Sequence, residues 1–174
     1  DKKPQFLASG WHNKETKTPA KPKALFKIAS IGKLYDAVTA TKLVSEGKLS
    51  LNKTLADYLP ELIGRIENAE KITLKHMIQH KSGIPNYSDA PNFWANPTKT
   101  FKESLDLIID KPANFEPGED YEYCNTNYLL LNEIMNNVLG YDKFVFIQEE
   151  ILKPLNLKNT FKSLEEVNIN SVMS

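Results

Sequence analysis

The spacing of hydrophobic residues along the chain predicts a mostly helical protein with a small amount of β-strand. In five segments the apolar positions recur every three or four residues, which is the period of a helix with one buried face. Gly47, Gly140 and Pro154 mark the ends of three of these segments. The predicted helices span residues 30–46, 73–80, 101–109, 126–139 and 142–152, with a short helical turn at 57–59.

Two shorter apolar runs before the first helix, residues 5–11 and 24–29, predict strands. The polar stretch 12–23 joins them and contains two prolines, so the three segments together predict a β-hairpin. A two-stranded hairpin is marginally stable alone, and we therefore expect it to pack on the helix that begins at Ser30 or to pair with further strands. The predicted fold class is α+β.

The composition is that of an ordinary globular domain and narrows the classes of function. The chain has 174 residues, enough for one domain or a large part of one, with 41% hydrophobic and 25% charged residues. Its 22 basic and 22 acidic residues cancel, so charge does not favour nucleic acid or an anionic membrane as a partner. No apolar run has the length of a membrane span. Nothing in the composition predicts an oligomeric state.

A serine followed three residues later by a lysine is the first chemical pattern in the chain. On a helix the two side chains lie on one face about one turn apart, so the lysine can take the proton of the hydroxyl. This arrangement is typical of enzymes that form an acyl-serine intermediate. Three pairs have the spacing: Ser30/Lys33, Ser45/Lys48 and Ser50/Lys53.

Position within the predicted elements favours the first pair. Ser45 lies at a helix C-terminus, where the dipole disfavours negative charge, and Ser50 fits the role of a turn or cap residue. Ser30 opens a helix, where free N–H groups and the dipole stabilise a developing negative charge. Lys33 projects beside apolar residues, and partial loss of water there would favour the neutral amine that a base requires. Taken alone, the pair also fits an N-cap serine and an exposed lysine.

Five segments in a fixed order extend the pattern over nearly the whole chain. They are residues 26–33 (FKIASIGK), 72–85 (ITLKHMIQHKSGIP), 115–118 (FEPG), 121–131 (YEYCNTNYLLL) and 150–157 (EILKPLNL). Together they resemble the serine β-lactamase-like family, which groups class C β-lactamases, D-alanyl-D-alanine carboxypeptidases and related esterases. The resemblance implies the N-terminal and helical portion of such a domain over 1–174, with the hairpin and nucleophile helix in 1–47 and the helical region in 48–174.

The resemblance implies roles for four residues. Ser30 matches the acylated nucleophile, and Lys33 matches the lysine that shares or accepts its proton. Tyr123 and Asn125 match a Tyr-x-Asn motif, in which the tyrosine is a candidate base and the asparagine contacts the substrate and the lysine. A phenol ionises well above neutral pH, so the tyrosine could act as a base only beside a positive charge or by relaying a proton through the lysine. Which of the two is the base stays open.

The activity implied by the resemblance is acyl transfer to water through an acyl-enzyme at Ser30. Its substrate would be a small molecule or peptide: a β-lactam, a D-alanyl peptide, or a small ester or amide. No cofactor or metal is implied. A substrate derived from peptidoglycan would place the protein in the periplasm or outside the cell. Cys124 stands where the family more often has serine or alanine, and since no histidine has a clear reason to lie beside it, we expect a buried, inert thiol.

The family has a third motif, a Lys-Thr-Gly or His-x-Gly sequence on a strand well after the tyrosine motif. No such segment follows Tyr123 here, and Lys81-Ser82-Gly83 lies before it, inside a family loop, so we interpret that match as a turn. In the family this strand supplies one of two oxyanion donors, and losing one donor costs about 10²–10³ in rate. We therefore expect these residues to be part of a longer hydrolase that contains further strands, and to be weakly active or inactive alone.

A metal site is one rival interpretation. His76 and His80 are spaced as in H-E-x-x-H, but Met77 takes the place of the glutamate, and only Asp89 or His12 could be a third ligand. A helix-capping His80 and a half-exposed His76 explain the pair better.

A second rival is an inactive member of the same fold that binds peptidoglycan or another peptide. Tyr87, Phe93 and Trp94, in the loop after Pro85, could line such a cleft or could cover the core beneath a long loop, which we favour. The presence of all three candidate catalytic residues favours the enzyme.

Overall fold

A computed structural model describes residues 4–173 and contains helices and one small antiparallel sheet. It divides into two compact units, one formed by the chain up to Gly32 together with the chain from Phe146 onward, the other by Lys33–Val145. The helices are α1 (Gly32–Ser45), α2 (Leu55–Tyr58), α3 (Leu74–Ile78), α4 (Phe101–Asp106), α5 (Asn125–Leu139) and α6 (Lys143–Ile147). Short 3₁₀ turns span Ala29–Ile31, Pro60–Leu62, Tyr87–Asp89, Leu164–Glu166 and Ile169–Ser171, and a π-helical turn, Gln148–Leu152, follows α6.

All the helices predicted from hydrophobic spacing are confirmed, with ends that differ by a few residues. Local sequence explains where they begin and stop. Thr73 is the N-cap of α3, as predicted, and forms a capping box with His76. Gly140 ends α5 with φ +74°, a left-handed conformation that glycine adopts without a side-chain penalty.

The predicted positions of the hairpin strands are wrong. The sheet pairs β1 (Trp11–Asn13) with β2 (Thr18–Pro19), which lie almost wholly inside the stretch predicted as the connection. The turn closes locally, because the Thr16 N–H donates to Asn13 Oδ1 at 2.9 Å and Lys17 adopts φ +53°. The apolar run before it is exposed, with Leu7 at 91%. Packing of the hairpin on the helix that begins at Ser30 stays a prediction.

The second predicted strand, 24–29, is reduced to one isolated parallel bridge between Leu25 and Val172. The Leu25 N–H donates to the carbonyl of Ser171 at 3.0 Å, and the Met173 N–H donates to the carbonyl of Leu25 at 2.8 Å. These bonds join the two chain segments that make up the first unit.

The core of the unit Lys33–Val145 is built around α5. This helix packs on α3, on α4 and on the turn Tyr87–Asp89. Burying an aliphatic side chain of this size contributes about 1.5–3 kcal/mol. The fully buried side chains of α5 are Leu130, Leu131, Ile134 and Met135. Because the first turn of α5 is also buried at Thr126 and Asn127, the Tyr-x-Asn segment is fixed at the edge of this core.

The buried face of α1 is not the apolar stripe that predicted the helix. Leu34 and Val38 are 64% and 40% exposed, whereas Thr39, Ala40 and Leu43 are buried. Within the described part of the chain, no helix is both long and apolar enough to cross a membrane.

Candidate active site

Ser30 lies in the 3₁₀ turn Ala29–Ile31, directly before α1, and is exposed. The preceding residue, Ala29, has φ +46°, a left-handed conformation that costs a residue with a side chain about 1–2 kcal/mol. The Gly32 N–H donates to the carbonyls of Ala29 and Ser30, so the turn continues into α1. Ser30 therefore precedes the helix at a strained turn, a feature that the sequence did not reveal.

Lys33 and Asn125 are joined by a hydrogen bond. Lys33 Nζ donates to Asn125 Oδ1 at 2.8 Å, although the two residues are 92 positions apart. Lys33 lies in the first turn of α1 and Asn125 is the first residue of α5, so the bond ties the starts of two helices together. Charge-assisted bonds of this kind are stronger than bonds between neutral groups.

Two tyrosine rings surround the same ammonium group. Lys33 Nζ lies 5.0 Å from the ring centroid of Tyr123 and 5.6 Å from that of Tyr128, which is cation–π geometry. Burial and the charge of Asp36 raise the pKa of Tyr128, so this phenol stays neutral. Tyr123 is 43% exposed and Tyr128 only 8%, and Tyr123 is thus the ring that a substrate could reach. The structure brings Lys33, Tyr123 and Asn125 together, as expected, within the unit Lys33–Val145.

The loop after Pro85 fixes the orientation of Asn125. The Asn125 N–H donates to Asn86 Oδ1 at 3.0 Å, and its Nδ2 donates to Ser88 Oγ at 2.9 Å. Because the amide nitrogen faces Ser88, the amide oxygen faces Lys33. No motif in the sequence identifies Asn86 or Ser88, and their only signal is a polar turn after a proline.

The same loop is tied to the next residue of α5. The Tyr87 N–H donates to Thr126 Oγ1 at 3.0 Å, and that hydroxyl donates to the carbonyl of Pro85 at 2.7 Å. Burial raises the pKa of Tyr87, so it too is a neutral phenol. The first turn of α5 is therefore held through its side chains by a loop about 40 residues earlier in the chain.

Cys124 is a buried thiol, as predicted. It is 2% exposed, Sγ donates to the carbonyl of Ile84 at 3.2 Å, and burial raises its pKa, so it is not a thiolate at neutral pH. The expectation that no histidine lies beside it is wrong: the Cys124 N–H donates to His80 Nδ1 at 3.1 Å. The imidazole therefore bonds to the main-chain N–H of Cys124, whereas the thiol bonds to the carbonyl of Ile84.

The two histidines at helical spacing have roles that differ from the prediction. His76 caps α3, because its Nδ1 accepts the Thr73 N–H at 3.3 Å. His80, which we expected to be the cap, follows the helix with φ +57° and bonds to Cys124 instead. Among residues 4–173 there is no group of three or more His, Cys, Asp or Glu side chains arranged to hold a metal ion.

The other serines of the matching patterns occupy structural positions. Ser45 is the exposed last residue of α1, and Ser50 is half-buried in a turn. Ser82 is buried, and its hydroxyl donates to Asn127 Oδ1 at 2.6 Å. A serine whose hydroxyl is buried in this way lacks access to a substrate, which agrees with the interpretation of Lys81-Ser82-Gly83 as a turn.

The aromatic residues after Pro85 form a short chain of edge-to-face rings. The centroids of Tyr87 and Phe93 are 5.3 Å apart, and those of Phe93 and Trp94 are 5.2 Å apart. Tyr87 and Phe93 are half-buried, in line with a covering role, but Trp94 is 80% exposed and does not cover the core.

A buried ion pair anchors α1 one turn beyond Lys33. Lys143 Nζ donates to Asp36 Oδ1, and the two side chains are 17% and 10% exposed. Nothing in the sequence pattern pointed to this pair, since the partners are 107 residues apart.

Comparison with solved structures shows which proteins share this fold. The octameric penicillin-binding protein homologue from Pyrococcus abyssi has a TM-score of 0.81 and 31% identity, over 94% of this chain and 39% of its own. D-amino acid amidase from Ochrobactrum anthropi SV3, solved with L-phenylalanine amide, has a TM-score of 0.77 and 25% identity, over 90% of this chain and 45% of its own.

Sequence comparison assigns the family. The Beta-lactamase family profile matches residues 1–168, and the chain belongs to this family. Protein flp from Staphylococcus aureus strain MW2 is 30% identical over 152 residues, which are 87% of this chain and 30% of that protein. The chain thus spans about a third of the length of the curated relatives it matches.

Proposed function

We propose that this chain carries the nucleophile and the proton-handling groups of a serine hydrolase that forms an acyl-enzyme at Ser30. The observation that carries the proposal is the contact of Lys33 with Tyr123 and Asn125, which lie about 90 positions later in the chain and which the family resemblance predicts to meet Lys33. The hydrogen bond of 2.8 Å between Lys33 and Asn125, with the Tyr123 ring 5.0 Å from the same nitrogen, supports it.

The proposed reaction has two steps. Ser30 Oγ attacks the carbonyl carbon as its proton passes to Lys33, which must first lose the proton of its ammonium form, and Lys33 then gives the proton to the departing amine or alkoxide as the bond to carbon breaks. Water then attacks the acyl-serine ester, a proton of the water passes through Lys33 to Ser30 Oγ as the acyl bond breaks, and the acid is released. The spacing of three residues between Ser30 and Lys33 and the position of Ser30 at a helix start support these roles.

Tyr123 is the alternative base in this proposal. A phenolate beside an ammonium ion could remove the serine proton, or a neutral phenol could relay it to the leaving group. The exposed position of Tyr123 and its contact with Lys33 support either role. Asn125 would orient the lysine and contact the substrate.

The substrates proposed are β-lactams, D-alanyl peptides and small esters or amides. The match to a D-amino acid amidase supports an amide bond as the target. A substrate derived from peptidoglycan would place the protein in the periplasm or outside the cell.

We further propose that α1 is the nucleophile helix and packs against strands in a longer protein. Leu34 and Val38 on α1 are 64% and 40% exposed, and Ile31, directly before it, is 62% exposed. These three residues lie three and four positions apart, so they line one stripe of about two helical turns. Apolar side chains at that spacing are normally buried, and strands bearing the third motif would cover them.

Turnover by the full-length protein tests the proposed activity. We expect hydrolysis of nitrocefin, a p-nitrophenyl ester or a D-aminoacyl p-nitroanilide, and loss of that hydrolysis in Ser30→Ala. Ser45→Ala, from the second matching pair, is the matched control and should keep wild-type turnover. Full activity in Ser30→Ala would refute the proposal, and specific binding of muropeptides without any turnover would favour the binding module.

The 174-residue chain alone tests the requirement for the strands. We expect it to hydrolyse the same substrates at least about 10²-fold more slowly than the full-length protein, because an oxyanion donor would be missing. Equal rates for the two proteins would show that residues 1–174 contain the complete site.

A further inference from the structure

His80 contacts the tyrosine segment through its main chain. It has φ +57°, a left-handed conformation that is uncommon for residues other than glycine and asparagine. In this conformation its carbonyl accepts the Glu122 N–H at 3.0 Å while its own N–H donates to the carbonyl of Met77 at 3.2 Å. The strained residue therefore joins the end of α3 to the segment that precedes α5.

The imidazole of His80 makes a second set of contacts with the same segment. Its Nδ1 accepts the N–H of Cys124, the residue between Tyr123 and Asn125, at 3.1 Å. Its ring lies against Tyr123, with centroids 4.6 Å apart and planes inclined by 34°. The same imidazole also packs on Tyr128, whose ring centroid is 5.3 Å away. One side chain thus holds both the backbone and the phenol ring of the motif.

We propose that His80 is a positioning residue, whose neutral imidazole fixes the Cys124 amide and the Tyr123 ring and so sets the phenol beside Lys33. This inference rests on the proposed function, because it assigns a task to the site described there. His80 touches no substrate in this proposal and acts through Tyr123.

The proposal requires one protonation state of the ring. Nδ1 can accept the Cys124 N–H only when it carries no proton, so the proton of the neutral ring is on Nε2. Burial, followed by the nearby charge of Lys33, lowers the pKa of His80 below that of an ordinary histidine. The ring packs on Tyr121, Tyr123 and Tyr128, it bonds to the Cys124 N–H, and the charge that acts on it is that of Lys33 on α1. Glu122 bonds to the His80 carbonyl through its N–H, and Lys81 is the next residue in the chain.

Acid should therefore disrupt the site through His80. A second ring proton would make Nδ1 a donor that faces the Cys124 N–H, which is also a donor, so the bond would be lost. It would also add a positive charge near Lys33. The hydrogen bond between the Cys124 N–H and His80 forms at pH values above the pKa of His80 in the folded protein, and it is lost as the pH falls through that pKa. A residue that served only to stabilise the fold would change the thermal midpoint and would not shift the pH dependence of the chemical step.

Two variants separate the hydrogen bond from the titration. His80→Asn places Oδ1 near the position of Nδ1, cannot be protonated, and tolerates positive φ. His80→Gln places its amide near the position of Nε2 and leaves the Cys124 N–H without this acceptor. His76→Asn is the control, because it replaces the other half-buried histidine of the α3 region and keeps an acceptor for the cap.

The measurement is the rate of acylation of full-length protein by benzylpenicillin or a fluorophosphonate, followed from about pH 5 to about pH 9. In wild type and His76→Asn we expect the rate to rise through the pKa of His80. In His80→Asn this rise should disappear, and the rate at high pH should fall less than in His80→Gln, because the bond to the Cys124 N–H is kept while the ring contact with Tyr123 is lost. In His80→Gln the rate should fall by about 10²-fold at all pH values, because the reacting groups are misplaced. An unchanged profile in His80→Asn, or a wild-type rate in His80→Gln, would overturn the proposal.

Nuclear magnetic resonance separates this inference from the proposed function. The ¹⁵N shifts of His80 in wild type should report the tautomer protonated at Nε2, and the Tyr123 ring signals should shift as His80 titrates. Acylation of Ser30 together with the other tautomer would refute the positioning role alone. Failure of wild type to react at any pH, with the expected tautomer observed, would refute the proposed function and the catalytic task of His80 with it.

Discussion

The two halves of the proposed site are built in opposite ways. The Tyr-x-Asn segment is held by hydrogen bonds that it donates to Asn86, Ser88 and His80, all within the unit Lys33–Val145. The turn that carries Ser30 is exposed, follows a strained Ala29 and is flanked by exposed apolar residues such as Phe26 and Ile31. The difference teaches that residues 4–173 order the side chains of Lys33, Tyr123 and Asn125 among themselves, whereas the turn that carries Ser30 has exposed apolar neighbours.

The largest effect should come from Lys33, where the two halves meet in sequence. Lys33→Ala should slow acylation of the full-length protein by about 10²–10⁴-fold if Lys33 is the base, as proposed. Lys33→Arg should be nearly as slow, since a guanidinium can donate to Asn125 but cannot give up its proton. Stopped-flow kinetics with nitrocefin measure this step. Lys48→Ala, from the second serine–lysine pair, is the control, and an active Lys33→Arg would assign the base to Tyr123.

The next prediction concerns the ion pair between Lys143 and Asp36, which anchors α1, the helix that carries Lys33. Lys143→Met should lower the free energy of unfolding by about 3 kcal/mol, because Asp36 would remain buried without its partner. Denaturant unfolding measures this loss. Asp36→Asn combined with Lys143→Met should recover much of it, and no recovery would mean that the ion pair contributes little.

Gly83 should be indispensable to the loop that carries Asn86 and Ser88, the two residues that accept hydrogen bonds from Asn125. It has φ +75°, and an added Cβ would lie 1.9 Å from the carbonyl oxygen of Phe115. Gly83→Ala should therefore cost about 3 kcal/mol or more. Gly140→Ala has the same sign of φ but meets no atom within 4 Å, and it should cost only about 1 kcal/mol. Equal thermal shifts for the two variants would contradict the close approach at Gly83.

Ser88→Ala should have a moderate effect on both stability and chemistry. The loss of one hydrogen bond costs about 1 kcal/mol, and the Asn125 amide could then rotate and direct its nitrogen toward Lys33. We expect a slower acylation rate and a thermal midpoint lowered by about 2–4 °C, while Ser88→Thr should rescue the rate. A normal rate in Ser88→Ala would show that the bond to Ser88 is not needed to orient the Asn125 amide.

The smallest effect is predicted for the turn that carries Ser30. Whether the free energy of unfolding rises or falls there is what tests the strain at Ala29. Ala29→Gly should raise the free energy of unfolding by about 0.5 kcal/mol, because glycine adopts φ +46° without strain. Ala37→Gly, inside α1, should lower it by about 0.5–1 kcal/mol. Thermal unfolding of both variants tests the assignment of strain, and a loss of stability in Ala29→Gly would contradict it.

Local sequence predicted what depends on local physics. The helices followed from periodicity, the α3 cap from Thr73, and the buried thiol from the absence of an activating partner for Cys124. The strands failed because residues 11–19 close a turn through their own side chains while the apolar runs lack a partner strand within residues 4–173.

The site was predictable only where the family pattern fixed it. Lys33, Tyr123 and Asn125 came from the motif and meet as expected. His80 and Ser88 act through contacts with residues 44 and 37 positions away, which no periodicity encodes. The Lys143–Asp36 pair spans 107 positions and was missed for the same reason.

Peptide mapping of the covalent adduct tests the central claim most directly. Full-length protein treated with benzylpenicillin or a fluorophosphonate, digested and analysed by mass spectrometry, should carry the added mass on Ser30. The adduct should be absent in Ser30→Ala and retained in Ser45→Ala. An adduct on Ser45, Ser50, Ser82 or Cys124, or no adduct with any acylating probe, would contradict the assignment of Ser30 as the nucleophile.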